Sequence, residues 1–217
     1  MAAIWAVGEV ADGRPTRLTL ELATLARQLA EAAGGRATAV LIGAGATDAA
    51  NEVAAHGADV LVVAVGRTAG PAASLVGPRL AALVAERAPD VLLVGATPDG
   101  KDVAGMLVGL TDLPILVNGA GVTWSEEGRP EVEMSTFGGR LATRSTFAGI
   151  RGIVLVRPAT VVAEKAATPG SIEAVEVAGL DDAPPVRVTD RVEEAAGGVP
   201  IEEARIIVGG GRGVGSP

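Results

Sequence analysis

The 217-residue sequence has no cysteine, no tyrosine and a single histidine, and its aromatic supply is limited to Trp5, Trp124, Phe137 and Phe147. Without cysteine there is no disulfide framework, thiolate zinc site or thiol nucleophile, and one histidine excludes a multi-histidine metal site. The absence fits a reducing compartment. Aromatics make up 2% of the chain and hydrophobic residues 48%. Ala, Val, Leu and Ile must therefore fill the core, which they do best between helices and parallel strands. Clusters of basic residues are also missing: 18 Lys and Arg stand against 26 Asp and Glu, for a net charge of -8. That balance opposes nucleic acid and anionic membrane surfaces, which bind by releasing counterions to Lys and Arg clusters. No apolar run approaches the roughly 20 residues needed to span a bilayer, so no direct membrane insertion is expected. Glu9 and Asp12 precede the first arginine, Arg14. The start therefore lacks the basic head of a signal peptide and the Arg-rich pattern of a transit peptide, and a cytoplasmic location is expected.

Short β-prone runs alternate with helical segments. Residues 3–7, 38–42, 60–65 and 91–95 read as fully buried strands. Between the first two, Leu18, Leu22, Leu25 and Leu29 recur at helical spacing, and Gly34-Gly35 supplies a stop that tolerates positive φ. Thr47 is placed to cap a shorter helix ending near Ala55. A third helix is expected from about Ser74 to Arg87, with Leu80, Leu83 and Val84 inward and Pro78 in its first turn. A fourth carries Val103, Met106, Leu107 and Leu110. Alternating strands and helices predict an α/β fold: a parallel sheet with helices on both faces and right-handed crossovers, whose ligands would sit at the carboxyl ends of the strands. After Pro114 the pattern changes. Residues 115–117 read as a strand, 132–137 and 141–147 as a β-hairpin around Gly138-Gly139, and 152–156 as a further strand. Pro, Gly, Asp and Glu then accumulate. Three parts are expected: an α/β domain over 1–179, a linker over 180–203, and a strand at 205–208 running into a Gly-rich turn, within a segment 204–217.

Several stretches invite a chemical reading. Gly95-Ala96-Thr97-Pro98-Asp99-Gly100-Lys101-Asp102 sits between strand and helix as a phosphate-binding P-loop does, but Asp102 stands where a Ser or Thr must hold magnesium, and Asp99 adds a second carboxylate. An ordinary strand-to-helix turn, with both acids favoured by the helix N-terminus, is expected instead. Gly43-Ala44-Gly45 resembles the start of a dinucleotide fingerprint, but Asp48 replaces its third glycine. His56, beside Gly57 at a helix end, reads as a surface imidazole near the last carbonyls. The pairs Glu126-Glu127, Asp181-Asp182, Glu193-Glu194 and Glu202-Glu203 are adjacent in sequence, so neither helix nor strand period puts both members on one face, and they read as solvated. Arg140 and Arg144 flank the hairpin and read as exposed. No nucleophile, base and orienting group can be assembled, so no enzymatic activity is expected. The terminal Gly209-Gly210-Gly211-Arg212-Gly213 differs: glycines permit close backbone approach to a ligand, and Arg212 offers a fork to phosphate.

Together the Gly95-to-Asp102 turn, the Ser135-to-Arg140 hairpin, Val154-Leu155-Val156-Arg157-Pro158 and Val208-Gly209-Gly210-Gly211-Arg212-Gly213 resemble the alpha subunit of electron transfer flavoproteins, in order and spacing along the whole chain. The resemblance implies a Rossmann-like first domain built like the adenine-nucleotide α-hydrolases, then a hairpin region, then a flavin domain opening with a strand and a Gly-Gly-Arg-Gly turn. It further implies that Arg212, Gly211 and Gly213 contact FAD in the intact protein. Lys101 replaces a common arginine. The family's flavin domain extends well beyond such a turn, so the resemblance implies an N-terminal domain that holds no flavin firmly by itself, because one turn cannot offset the entropy of immobilising so large a ligand. It implies an electron carrier rather than an enzyme, with the beta subunit as partner and flavin dehydrogenases, such as those acting on acyl-CoA, in the complete complex. An independent adenine-nucleotide module, using the strand ends near Gly43 and Gly95, is the alternative.

Overall fold

Strand β1 (Ala3–Gly8) runs through the middle of the sheet, sending Ile4 and Ala6 to one face and Trp5 and Val7 to the other. This is the period-two signature of a strand buried on both sides. The computed structural model describes residues 1–65, 70–177, 186, 188–190, 206–211, 213 and 215. After β1 a two-residue ribbon, β2 (Val10–Ala11) and β3 (Arg14–Pro15), turns through Asp12 and Gly13, both at positive φ, as a tight hairpin requires. Helix α1 (Arg17–Ala33) starts where the Thr16 side chain accepts from the Thr19 N–H at 3.2 Å, and ends at Gly34 in the left-handed region. Its Leu18, Leu22, Leu25 and Leu29 are all buried, each contributing about 1.5–3 kcal/mol.

Next come β4 (Arg36–Gly43), α2 (Ala46–Ala54), β5 (Asp59–Ala64), α3 (Ala72–Arg87), β6 (Val91–Gly95) and α4 (Pro98–Thr111). The remaining strands are β7 (Ile115–Trp124), β8 (Pro130–Thr136), β9 (Leu141–Ser145), β10 (Gly152–Val156) and β11 (Ile172–Ala174). Nine strands form one sheet in the order β11-β5-β4-β1-β6-β10-β7-β8-β9. Pairing is parallel from β11 to β7 and antiparallel from β7 to β9. Helices α1 and α2 cover the Ile4 face through Leu22, Leu25, Leu29 and Val53, while α3 and α4 cover the Trp5 face through Leu80, Leu83, Val84 and Leu107. Helices thus lie on both faces, as expected, and the β-hairpin is part of the same sheet.

Several local expectations need correction. Helix α2 is capped by Gly45 at φ 78, not by Thr47, because Gly45 packs so closely on the ribbon that a Cβ there would lie 2.7 Å from the Gly13 Cα. Helix α3 begins at Ala72, after Pro71 in extended conformation, which moves Pro78 into the helix interior. Leu110 is 55% exposed in the last turn of α4, although Val103 and Leu107 are buried. Strand β7 continues far past Val117, through Asn118 at φ 62 and a register shift, both features of a bulge. Strand β11 was not legible at all.

After β10 the chain crosses the α1–α2 side of the sheet as a strap. The Ala159 N–H donates to Glu21 Oε2 at 2.8 Å, and Thr24 Oγ1 accepts from the Glu164 N–H at 3.1 Å. Ala166 and Gly170 then donate to the carbonyls of Ala55 and Ala54, each at 2.9 Å. Ser171 donates to Asp59 from both its N–H and its hydroxyl, which seats β11 on β5. Gly170 is required: a Cβ there would stand 2.0 Å from the Ala58 carbonyl oxygen.

The chain divides into two units, 1–187 and 188–217. In the second, Ile206, Ile207 and Val208 are exposed by 85%, 62% and 94% and are in no strand among the described residues. A strand is held by a neighbour's ladder of hydrogen bonds, and among the described residues the apolar run has none. Arg205 and most of the expected linker lie outside the described residues.

Candidate functional site

In an open parallel sheet the crevice for ligands lies beyond the carboxyl ends of the strands, where the strand order reverses. Here the chain proceeds outward from β1 through β4 to β5 and returns to β6 on the other side of β1, so the reversal falls between β1 and β6. The residues that follow these strands are Glu9 and the Gly95-to-Asp102 turn.

That crevice is filled by the protein's own groups. The Thr97 hydroxyl donates to Glu9 Oε1 at 2.5 Å, and the same oxygen of Thr97 accepts from the Gly100 N–H at 2.9 Å, making Thr97 the N-cap of α4. Pro98 occupies the first helical position, where its missing N–H is harmless. Glu9 is held at its backbone as well, since its N–H donates to Thr19 Oγ1 and its carbonyl accepts from the same hydroxyl, both at 2.8 Å. Burial pushes the Glu9 carboxyl above its ordinary range, the Thr97 hydrogen bond opposes that shift, and the charge of Asp99 adds to it. The glycines pack protein against protein. A Cβ on Gly100 would fall 2.0 Å from the Gly95 carbonyl oxygen, and one on Gly95 would fall 2.6 Å from Leu18 Cδ2. Gly45 likewise sits on Gly13. In the turn after β6 the glycines are packed against protein and the Glu9 carboxyl lies on the Thr97 hydroxyl, whereas a Cβ on Gly43 would meet only Leu75, at 4.0 Å.

The other sequence candidates are scattered. His56 is buried rather than at the surface, being 4% exposed, with Nδ1 3.0 Å from the Glu52 carbonyl oxygen and its own carbonyl accepting from Arg27 Nε at 3.0 Å. The strap crosses there, at the Ala55 carbonyl, and covers the ring's end of α2. Glu126 and Glu127 are exposed, as are Arg140 and Arg144. Asp181-Asp182, Glu193-Glu194 and Glu202-Glu203 lie outside the described residues, and so does Arg212. Gly211 and Gly213 are exposed, and a Cβ on either would meet open space. Among the described residues, no protein atom stands opposite the backbone of that turn. Among the described residues no cluster of His, Asp and Glu could hold a metal ion, and no helix is long and apolar enough to cross a membrane.

Sequence reasoning missed Glu9 and the capping role of Thr97. The cap was signalled by a Thr directly ahead of a Pro at a helix start, but the partner of the carboxylate lies 88 positions away.

Comparison with known proteins agrees with this architecture. The model of the electron transfer flavoprotein domain family matches residues 4–180. Protein FixB of Clostridium saccharobutylicum is 30% identical over 226 residues, covering 98% of this chain and 65% of its own length. The electron transfer flavoprotein subunit alpha of Mycobacterium leprae (strain TN) is 32% identical over 221 residues, covering 100% and 66%. Its namesake in Mycobacterium tuberculosis (strain ATCC 25618 / H37Rv) is 35% identical over 223 residues, with the same coverage of 100% and 66%. The chain thus spans about two thirds of the length of the curated relatives it matches.

Proposed function

The chain belongs to the electron transfer flavoprotein domain family, and from that membership we propose that it is the N-terminal domain of an alpha subunit, serving as a structural platform for the beta subunit and for a FAD domain. In the complete complex, electrons pass from flavin dehydrogenases, such as those acting on acyl-CoA, towards the respiratory chain. The flavin supplies the redox chemistry when bound, and the residues of the first unit supply shape and position. No catalytic constellation is assigned. The observation that carries this reading is the closure of the crevice between β1 and β6 by Glu9, Thr97 and close-packed glycines, in a chain whose whole length aligns with about two thirds of an alpha subunit. A domain with its own strand-end crevice filled has its outer surfaces left for partners.

In the intact subunit Arg212, Gly211 and Gly213 are assigned to FAD.

Sedimentation velocity of the chain mixed with its cognate beta subunit tests the platform role. A faster-sedimenting complex is expected at tens of micromolar, and two independent boundaries at that concentration overturn the proposal. Calorimetry with ATP and AMP tests the competing nucleotide-module reading, which the Glu9 carboxylate opposes; saturable binding abolished by substitution at Gly95 or Gly43 would establish that module instead.

A further inference from the structure

A second opening lies at the same end of the sheet, displaced from the reversal point towards the antiparallel strands. Ala96 after β6, Lys101 in the first turn of α4, Val117 and Asn118 of β7, Leu155 of β10, and Arg157 and Pro158 after it surround a cavity of about 570 Å³. Its wall is apolar on the side of Val117, Leu155 and Pro158. Val117 is 51% exposed there, while Leu155 is buried. Its polar side carries two cations. No carboxylate lines it among the described residues, and neither Lys101 nor Arg157 has a side-chain hydrogen bond or ion pair among them. The acids of the same helical turn lie elsewhere: Asp99 bears on Glu9, and Asp102 is exposed on α4 outside the lining. In a chain of net charge -8, two exposed cations that line one cavity with no acidic partner among the described residues form an uncompensated pair.

The backbone beneath them is held on several sides. The Arg157 N–H donates to the Gly119 carbonyl at 2.9 Å, and the Arg157 carbonyl accepts from Thr160 Oγ1 at 2.7 Å. The Ala96 N–H donates to the Val156 carbonyl at 2.8 Å, which ties the ends of β6 and β10 together. The Lys101 N–H donates to the Thr97 carbonyl at 3.0 Å. The bulge at Asn118 is fixed by its side-chain amide, which donates to the Ser135 carbonyl at 2.5 Å. The roots of both cations are therefore positioned before any ligand arrives, which lowers the ordering entropy of binding.

We propose that this cavity is an anion subsite, in which Lys101 and Arg157 hold the phosphate of a small phosphate monoester while Val117, Leu155 and Pro158 cover its apolar body. Arg157 supplies the planar fork that matches phosphate oxygens and Lys101 a compact second charge. The volume exceeds that of a bare phosphate and leaves room for a ring-sized group. The site uses none of the residues assigned to a flavin.

The test is an amide NMR titration of the full chain at low salt, with inorganic phosphate and with phenyl phosphate as separate probes. Saturable shifts confined to the amides around Ala96, Lys101, Gly119 and Arg157 are expected, with phenyl phosphate binding more tightly than inorganic phosphate. Lys101→Gln and Arg157→Gln are each expected to weaken binding about tenfold, and Arg140→Gln on the hairpin to leave it unchanged. Unsaturable shifts, or equal weakening by all three substitutions, would mean diffuse attraction to surface cations and would overturn the subsite. Equal affinity for the two probes would overturn the part assigned to the apolar wall.

Discussion

Two glycine-rich turns in this chain use the same residue type for opposite ends. In the turn that joins β6 to α4, Gly95 and Gly100 are places where protein touches protein, and a methyl group on Gly100 would stand 2.0 Å from a carbonyl oxygen. In the terminal turn, Gly209, Gly210 and Gly211 face open space, and nothing stands within 4 Å of an added Cβ. The first turn spends its glycines on packing and is thereby closed to ligands. The described glycines of the second have no protein atom opposite them. Glycine content alone does not distinguish a binding loop from a packed corner; the atoms opposite each Cα do.

Substitution at the packed turn should break this contrast most severely. Gly100→Ala is expected to lower stability by about 2–4 kcal/mol, because the added carbon collides with backbone that has no alternative position. Chemical denaturation of the variant measures it, and an unchanged midpoint would mean that the corner is looser than its geometry. Next in size is Thr97→Ala. It removes both the α4 cap and the donor to Glu9, for an expected loss of about 1–2 kcal/mol in the same assay.

Glu9→Gln probes the electrostatics of the closed crevice. The folded protein holds the Glu9 proton more tightly than the unfolded chain does, since burial raises its carboxyl above the ordinary carboxylate value. That stabilisation is complete below the unfolded value and is lost as pH rises through the folded one. The melting temperature of Glu9→Gln relative to wild type should therefore climb as pH rises from the ordinary carboxylate value through the raised folded one, since the neutral amide carries no desolvated charge. A pH-independent difference would refute the assignment.

Asp59 gives the opposite sign. Burial raises its carboxyl, but the hydrogen bonds from Ser171 and the Arg36 guanidinium outweigh that and hold it below 3.8. Its stabilisation is present above the unfolded value and lost as pH falls through the folded one. Asp59→Asn should accordingly flatten the acid limb of the stability profile and loosen β11, seen as faster amide exchange at the Val60 N–H, which donates to the Ser171 carbonyl. The smallest effect belongs to the open turn. Gly210→Ala should change stability by under about 0.5 kcal/mol, and a melting scan that separates it clearly from wild type would show that the turn is packed after all.

Much of the first unit was legible because its signals are local. Strands β6 and β10 fall on the residues that their β-branched runs marked, and α1 follows its leucine spacing to the left-handed Gly34. Alternation along the strands tells which face each residue takes, and helical spacing tells which stripe is buried. The stretch from Gly95 also joins a strand to a helix where its sequence places it, with Thr97 as the cap of α4.

What only the tertiary structure decided depends on distant partners. Ile172–Ala174 is short, exposed and unpatterned, and becomes a strand because Gly170 lets the chain approach Ala58 and Asp59 seizes Ser171. The apolar run at 206–208 has the stronger β pattern yet is unpaired among the described residues, because strand character is realised by a neighbour's backbone. The start of α2 was set by contact with Gly13, and the burial of His56 accompanies a strap that returns more than a hundred residues later. Glu9 looks in sequence like any surface acid. Its meeting with Thr97 follows from the side-by-side pairing of β1 and β6, and that parallel register turns a candidate ligand crevice into a closed corner.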